Sequence, residues 1–168
     1  METQRVIVLN NDMTILGTTT WKRAVRLISV GKAEVLAESD TQIHPTMFIP
    51  RVIRLIKAIR NLWRTQVPWS KQNVHVRDMF VCQYCGKKLS RSACTVDHVI
   101  PVAQGGKNRW ENTVCSCYEC NNSKEDRTPS QAHMTLLKQP VTPTIMEFMM
   151  RKIKTEGLEE VLRELGVY

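Results

Sequence analysis

Two cysteine pairs frame the most chemically loaded part of this chain. Cys82-Gln83-Tyr84-Cys85 and Cys117-Tyr118-Glu119-Cys120 are CxxC knuckles with 31 residues between them. Each knuckle offers two thiolates from one tight turn, so together they supply the four soft ligands of a tetrahedral structural zinc site. Gly86 follows the first pair and suits the turn that leaves it. Two of the six cysteines, Cys94 and Cys115, are left over and read as buried or incidental thiols. Spacing alone would also let Cys115 pair with Cys117 or replace a ligand. A disulfide framework is disfavoured, because Met1–Val6 has no basic segment leading into an apolar one. The chain therefore reads as intracellular and cytoplasmic, where thiols stay reduced. A redox protein working through its CxxC pairs, as in thioredoxin, is not the expected reading.

Between the knuckles stand Asp97-His98 and Asn112, and Asn121 directly follows the last cysteine. Hydrolysing a phosphodiester requires an activated water, a cation to hold phosphate charge, and stabilisation of the leaving oxygen. His98 is the candidate general base, since imidazole accepts a proton readily near neutral pH. Asp97 offers an anionic oxygen and Asn121 a neutral amide oxygen, a hard donor set that suits Mg²⁺ or Mn²⁺ better than zinc. Two protein ligands make an open, weak site that phosphate and water would complete. Adjacent strand residues point to opposite faces, so Asp97 and His98 can share a site only if the strand twists or bulges there. His44, His75 and His133 belong to no ligand-spaced pair and read as ordinary histidines.

The ordered run of Cys82/Cys85, Asp97-His98-Val99-Ile100-Pro101, Gly105-Gly106, Trp110-Glu111-Asn112, Cys117/Cys120, Asn121 and Lys124 resembles the HNH endonuclease family in its zinc-ribbon form. This run lies within residues 73–128. The resemblance implies a ββα-metal fold and a metal-dependent DNA endonuclease, nicking or double-strand cleaving, that leaves 5′-phosphate and 3′-hydroxyl ends. It also implies that Asp97 and Asn121 hold the metal, that His98 is the base, and that Asn112 orients the loop and that base. The family's last metal ligand is often histidine, where this chain has Asn121. Residues 5–37 resemble the N-terminal module of stand-alone HNH proteins from bacteria and phages, through Trp21–Ile28 (WKRAVRLI) and Gly31–Leu36 (GKAEVL).

These residues need a scaffold, and 168 residues with 42% apolar content can bury one. No apolar run approaches the ~20 residues of a membrane span. The expected fold class is α+β. A small α/β module with a basic DNA-binding stretch is expected over 1–70, a zinc-bound ββα-metal nuclease domain over 71–130, and a helical extension over 131–168. In the first, Arg5–Leu9 reads as a strand, Asn10-Asn11-Asp12 as a turn, and Thr20 as the cap of a helix over Trp21–Val30 stopped by Gly31. Ala33–Ala37 reads as the next strand, giving a βαβ-like or split α/β module. Arg51–Ile59 fits helix or strand, with the β-branched residues favouring strand. In the second, a short helix over Asn73–Met79 precedes strands at Cys94–Pro101 and Trp110–Cys115, and a helix runs over Tyr118–Asp126. Ile145–Ile153 and Leu158–Leu165 read as amphipathic helices. Met146, Met149 and Met150 are read there as packing, with a dimer contact as the alternative.

The net charge of +8 is concentrated. Residues 41–77 hold Arg51, Arg54, Lys57, Arg60, Arg64, Lys71 and Arg77 and no acid, while the rest of the chain nearly balances. An acid-free basic stretch interleaved with Ile, Leu and Trp points to DNA as the partner. Arg51, Arg54, Lys57 and Arg60 are the expected phosphate contacts, joined by Lys124 and Arg127 from the zinc-bound helix. The rival reading is a zinc-stabilised DNA-binding module without cleavage activity. Intact Asp97, His98, Asn112 and Asn121 speak against it. One active site per chain makes double-strand cleavage easier for a homodimer, whereas nicking needs no second copy.

Overall fold

Side chains alternate in direction along the first strand, so Val6 joins one core while Ile7 and Leu9 join another. The computed structural model describes residues 4–60 and 66–167. In chain order the elements are β1 (Arg5–Leu9), β2 (Ile15–Thr20), α1 (Trp21–Ser29), β3 (Ala33–His44), β4 (Met47–Leu55), α2 (Lys71–Arg77), β5 (Thr95–His98), β6 (Thr113–Ser116), α3 (Tyr118–Lys124), α4 (Ile145–Thr155) and α5 (Glu159–Glu164). The result is a mixed α/β protein with two small sheets. It divides into two compact units, Met1–Thr65 with Ile145–Tyr168, and Gln66–Thr144. The segment 131–168 is thus shared between units, with its two helices in the first.

In the first unit the sheet order is β2-β1-β4-β3, with β1 parallel to β4 and the other pairs antiparallel. Ile7, Leu9 and Val52 face Ile153, Val161 and Leu162 of α4 and α5. Val6, Ala33 and Ile53 face Ala24 of α1, with Trp21, Leu27 and Ile28 packed around them. The sheet is therefore covered on both faces. Each fully buried aliphatic side chain contributes roughly 1.5–3 kcal/mol of transfer free energy to this arrangement. Thr20 caps α1 as the sequence suggests, its hydroxyl accepting from the Arg23 amide at 3.4 Å. Gly31 ends the helix at φ 66°, a conformation that suits glycine.

Two expectations change here. The chain does not pass from β1 straight to α1, because β2 first returns antiparallel to it. That strand is hard to read in ILGTTT, which lacks apolar alternation and contains Gly17 at φ 131°. Its pairing with β1 is also irregular between Val8 and Leu9. The ambiguous Arg51–Ile59 stretch is strand only as far as Leu55, the end of β4.

In the second unit, Ser70 caps α2 by accepting from the Asn73 amide. The hairpin β5–β6 pairs Thr95 with Ser116, Val96 with Cys115, Asp97 with Val114 and His98 with Thr113. Arg77, one of the seven basic residues of the acid-free stretch, is 3% exposed. Its guanidinium binds both Asp78 carboxylate oxygens, at 2.8 and 2.9 Å, and donates to the carbonyls of Trp110 and Thr113. Asp78 in turn accepts from the Cys115 amide at 2.7 Å. The pair joins α2 to β6. Arg77→Ala would leave Asp78 buried without its cation, a change that costs about 3–5 kcal/mol. Urea denaturation should show that loss, and an unchanged midpoint would remove this pair from the list of structural ties.

Candidate active site and cysteine cluster

The sulfur atoms of Cys82, Cys85, Cys117 and Cys120 all lie within 4.8 Å of one another. The Cys85–Cys117 separation is 3.9 Å, close to the ~3.8 Å edge of a tetrahedron with 2.3 Å metal–sulfur bonds. Local sequence explains the shape. In the first knuckle the Gly86 amide bonds the Cys82 carbonyl, and in the second the Cys120 amide points at the Cys117 sulfur. Burial pushes the Cys82 thiol up, but backbone N–H groups of Cys85, Cys117 and Tyr84 outweigh it and bring the pKa down to about 6. Burial and then the neighbouring sulfurs push Cys120 up. Four thiols this close resist ionising together unless a cation joins them, so the set fits a soft divalent metal. Cys94 and Cys115 are not among the four. Burial raises the thiol pKa of both.

Thr95 and Asp97 are two apart on β5 and share a face. Asn121 on α3 meets that face, its amide nitrogen donating to Thr95 Oγ1 at 3.1 Å. Asp97 is 5% exposed and its carboxylate is already engaged. Lys124 Nζ donates to Oδ1 at 3.0 Å and the Tyr84 hydroxyl donates to Oδ2. Burial, followed by the hydrogen bond to Asp97, pushes the Tyr84 phenol well above its ordinary range, so it remains a donor. Asp97 and Asn121 offer one carboxylate and one amide oxygen, which fits a hard divalent cation. Any such ion would have to share that carboxylate with the Lys124 ammonium.

His98 occupies the next position on the strand. The pairing through His98 and Thr113 has no register shift, so of the twist and the bulge that would let neighbours share a site, the bulge is not used. The two side chains have different partners. Asp97 is held by Lys124 and Tyr84, whereas His98 Nε2 lies 2.8 Å from Asn108 Oδ1. The imidazole is partly exposed.

The loop that carries Asn108 is clamped by Asn112. Its Oδ1 accepts from the Ile100 amide at 2.8 Å, and its Nδ2 donates to the carbonyls of Ile100 and Lys107, both at 3.1 Å. Gly106 completes the closure, because a Cβ there would stand 1.7 Å from the Ile100 carbonyl oxygen and 2.9 Å from Asn112 Nδ2.

Asn108 and Tyr84 were not singled out from sequence, since a loop asparagine and a tyrosine within a knuckle have no spacing signature. Lys124 needs a correction. It is 0% exposed and gives its ammonium to Asp97 and to the His98 carbonyl, so it presents nothing to a phosphate. Arg127 is exposed on the outside of the same helix end, donating to the Ser123 and Lys124 carbonyls.

The basic stretch is not one face. Arg54 pairs with Glu34, and Arg51 approaches Glu164 at 3.9 Å. Lys57 and Arg60 are exposed beyond the end of β4, and Arg64 lies outside the described residues.

Residues 82–127 match the HNH endonuclease family, a span that holds both knuckles and Asp97, His98, Asn108, Asn112, Asn121 and Lys124. The chain carries an HNH endonuclease domain. Residues 6–62 match the HNH endonuclease-associated N-terminal domain, so that likeness extends beyond 5–37 to take in β3 and β4. The CRISPR-associated endonuclease Cas9 of Corynebacterium diphtheriae is 42% identical over 57 residues, which is 33% of this chain and 5% of that protein. The enzyme of the same name from Actinomyces naeslundii is 41% identical over 46 residues, 27% of this chain and 4% of the relative. The match thus spans about a twentieth of these relatives. The crystal structure of the Type II-C Cas9 enzyme from Actinomyces naeslundii aligns with 55% of this chain and 13% of its own, at 23% identity and a TM-score of 0.30. No described helix is long and apolar enough to cross a membrane.

The HNH loop gives a direct test. Gly106→Ala should displace the loop and, with it, the Asn108 contact to His98. The expected readout is a lowered melting temperature together with shifted His98 imidazole resonances in NMR spectra. Unchanged imidazole signals would separate His98 from the Asn112 clamp.

Proposed function

We propose that this chain is a metal-dependent HNH endonuclease that hydrolyses DNA phosphodiester bonds, with His98 as the general base. The observation that carries the reading is the HNH match over residues 82–127 together with the fixed surroundings of Asp97, His98, Asn112 and Asn121 within it. Asn108 Oδ1 accepts from His98 Nε2–H, which leaves Nδ1 as the basic nitrogen able to take a proton from water. Asn112 keeps that acceptor in place by holding the loop at Ile100 and Lys107. The activated water attacks phosphorus in line, and the 3′ oxygen leaves and takes a proton from solvent, giving 5′-phosphate and 3′-hydroxyl ends. Mg²⁺ or Mn²⁺ held by Asp97 and Asn121 would supply the positive charge that stabilises the phosphate and the leaving oxygen. Lys124 and Tyr84 orient the Asp97 carboxylate.

Zinc on Cys82, Cys85, Cys117 and Cys120 is the structural metal in this reading, tying the start of the ββα unit to α3. The exposed Lys57, Arg60 and Arg127 remain as phosphate contacts, whereas Arg51 and Arg54 are engaged with acids. One copy nicks, and cutting both strands would call for two copies or two encounters.

Supercoiled plasmid with Mg²⁺ or Mn²⁺ tests the activity directly, since nicked and linear products separate on a gel. His98→Ala should lower the rate by roughly 10²–10⁴-fold while leaving DNA affinity nearly unchanged. Equal rates in the two proteins would move the base elsewhere. DNA binding without cleavage by the wild type would instead favour a zinc-stabilised binding module.

The two metals should also separate. Brief, mild EDTA should stop cleavage, added Mg²⁺ or Mn²⁺ should restore it, and metal analysis should still find one zinc per chain. Structural zinc contributes on the order of 10 kcal/mol, so Cys82→Ser or Cys120→Ser should give poorly folded protein that Mg²⁺ does not rescue. A folded, zinc-free protein that cuts normally would end the structural-zinc reading.

A further inference from the structure

We infer that the outer face of α1 is a nucleic-acid backbone surface, formed by Lys22, Arg23 and Arg26. The inference rests on the endonuclease reading for its choice of ligand, but its evidence lies outside the HNH domain.

At 3.6 residues per turn, these three positions fall within an arc of about 100°. The opposite side of the helix packs on the sheet through Trp21, Ala24, Leu27 and Ile28, so the three cations project outward by construction. All three are exposed. With Thr20 and Leu27 they line an open groove of about 540 Å³.

The charge of this face is not cancelled locally. Helix α1 contains no acidic residue. Lys22 lies 5.7 Å from the Trp21 ring centroid, and none of the three has an ion-pair partner among the described residues. Glu34 is near in sequence but lies across the sheet. It is opposite Arg54 in the pairing of β3 with β4, one position from the Val35–Ile53 pair. Ile53 faces α1, so Glu34 and Arg54 point to the other face, where Arg54 also reaches Met13.

Neighbours three and four apart on a helix are about 5–6 Å apart at Cβ. That spacing lets Lys22, Arg23 and Arg26 meet adjacent phosphates without reading bases. The ligand class is therefore a duplex phosphate backbone, bound without sequence preference.

The test is duplex binding followed by fluorescence anisotropy at several salt concentrations, on the whole chain. Lys22→Gln, Arg23→Gln and Arg26→Gln together should weaken binding to unrelated sequences equally. The slope of log affinity against log salt should become shallower by about 0.9 for each lost contact, so about 2.7 for three. Arg23→Gln alone should remove about 0.9, which covers the case of a triple variant that folds poorly. Lys32→Gln, on the turn after α1, gives the comparison for a generic surface charge and should leave the slope nearly unchanged. An unchanged slope in the α1 variants overturns the inference while leaving the endonuclease reading intact. Loss of binding to anionic lipid vesicles, with DNA binding untouched, also overturns it. If the wild type cuts no DNA yet binds it with the expected slope change, the endonuclease reading fails and the surface stands.

Discussion

The contact between Lys124 and Asp97 is the constraint on which the candidate site depends. A fully buried ammonium is tolerated only where its partners offset the loss of hydration. Here the partners are Asp97 Oδ1 and the His98 carbonyl, the side chain and backbone of consecutive residues. Helix α3 has seven residues, too few to be stable by itself. Its position against β5 is set by this buried cation and by the cysteines at its start. Asn121 is three residues earlier on the same helix, so the contact that fixes α3 also brings its amide to the Asp97 side of the strand.

The same logic separates holding from reacting. Tyr84 and Lys124 hold Asp97, and Asn112 and Gly106 hold the loop whose Asn108 meets His98. The two sets hold neighbouring residues at the end of β5, where the pairing with β6 runs without a register shift. Under the proposed reading, phosphate bridges the two sets: charge stabilisation comes from the Asp97–Asn121 side and proton removal from the His98 side.

Charge in this chain is organised by three-dimensional neighbours and not by segments. The acid-free stretch loses its apparent unity because its acids come from elsewhere, Glu34 and Glu164 for Arg54 and Arg51, and Asp78 for the buried Arg77. Conversely, α1 belongs to a segment with balanced charge, yet its outer face is purely cationic because Glu34 lies behind the sheet.

Much of the site was legible in residue order. The knuckle spacing predicted the four-cysteine cluster, and the order Asp97-His98, Asn112, Asn121 led to the HNH family, because ligand and motif spacings are local properties of the chain. Thr20 and Gly31 marked the ends of α1 for the same reason: a capping hydroxyl and a left-handed glycine act within one turn. Strand β2 was not legible, since its pairing with β1 comes from the hairpin and not from any apolar alternation of its own. Nor was the burial of Lys124, the meeting of His98 with Asn108, or the neutralisation of Arg54. Each of those joins residues from separate elements, and hydrogen bonding and desolvation depend on which atoms the folded backbone brings within reach.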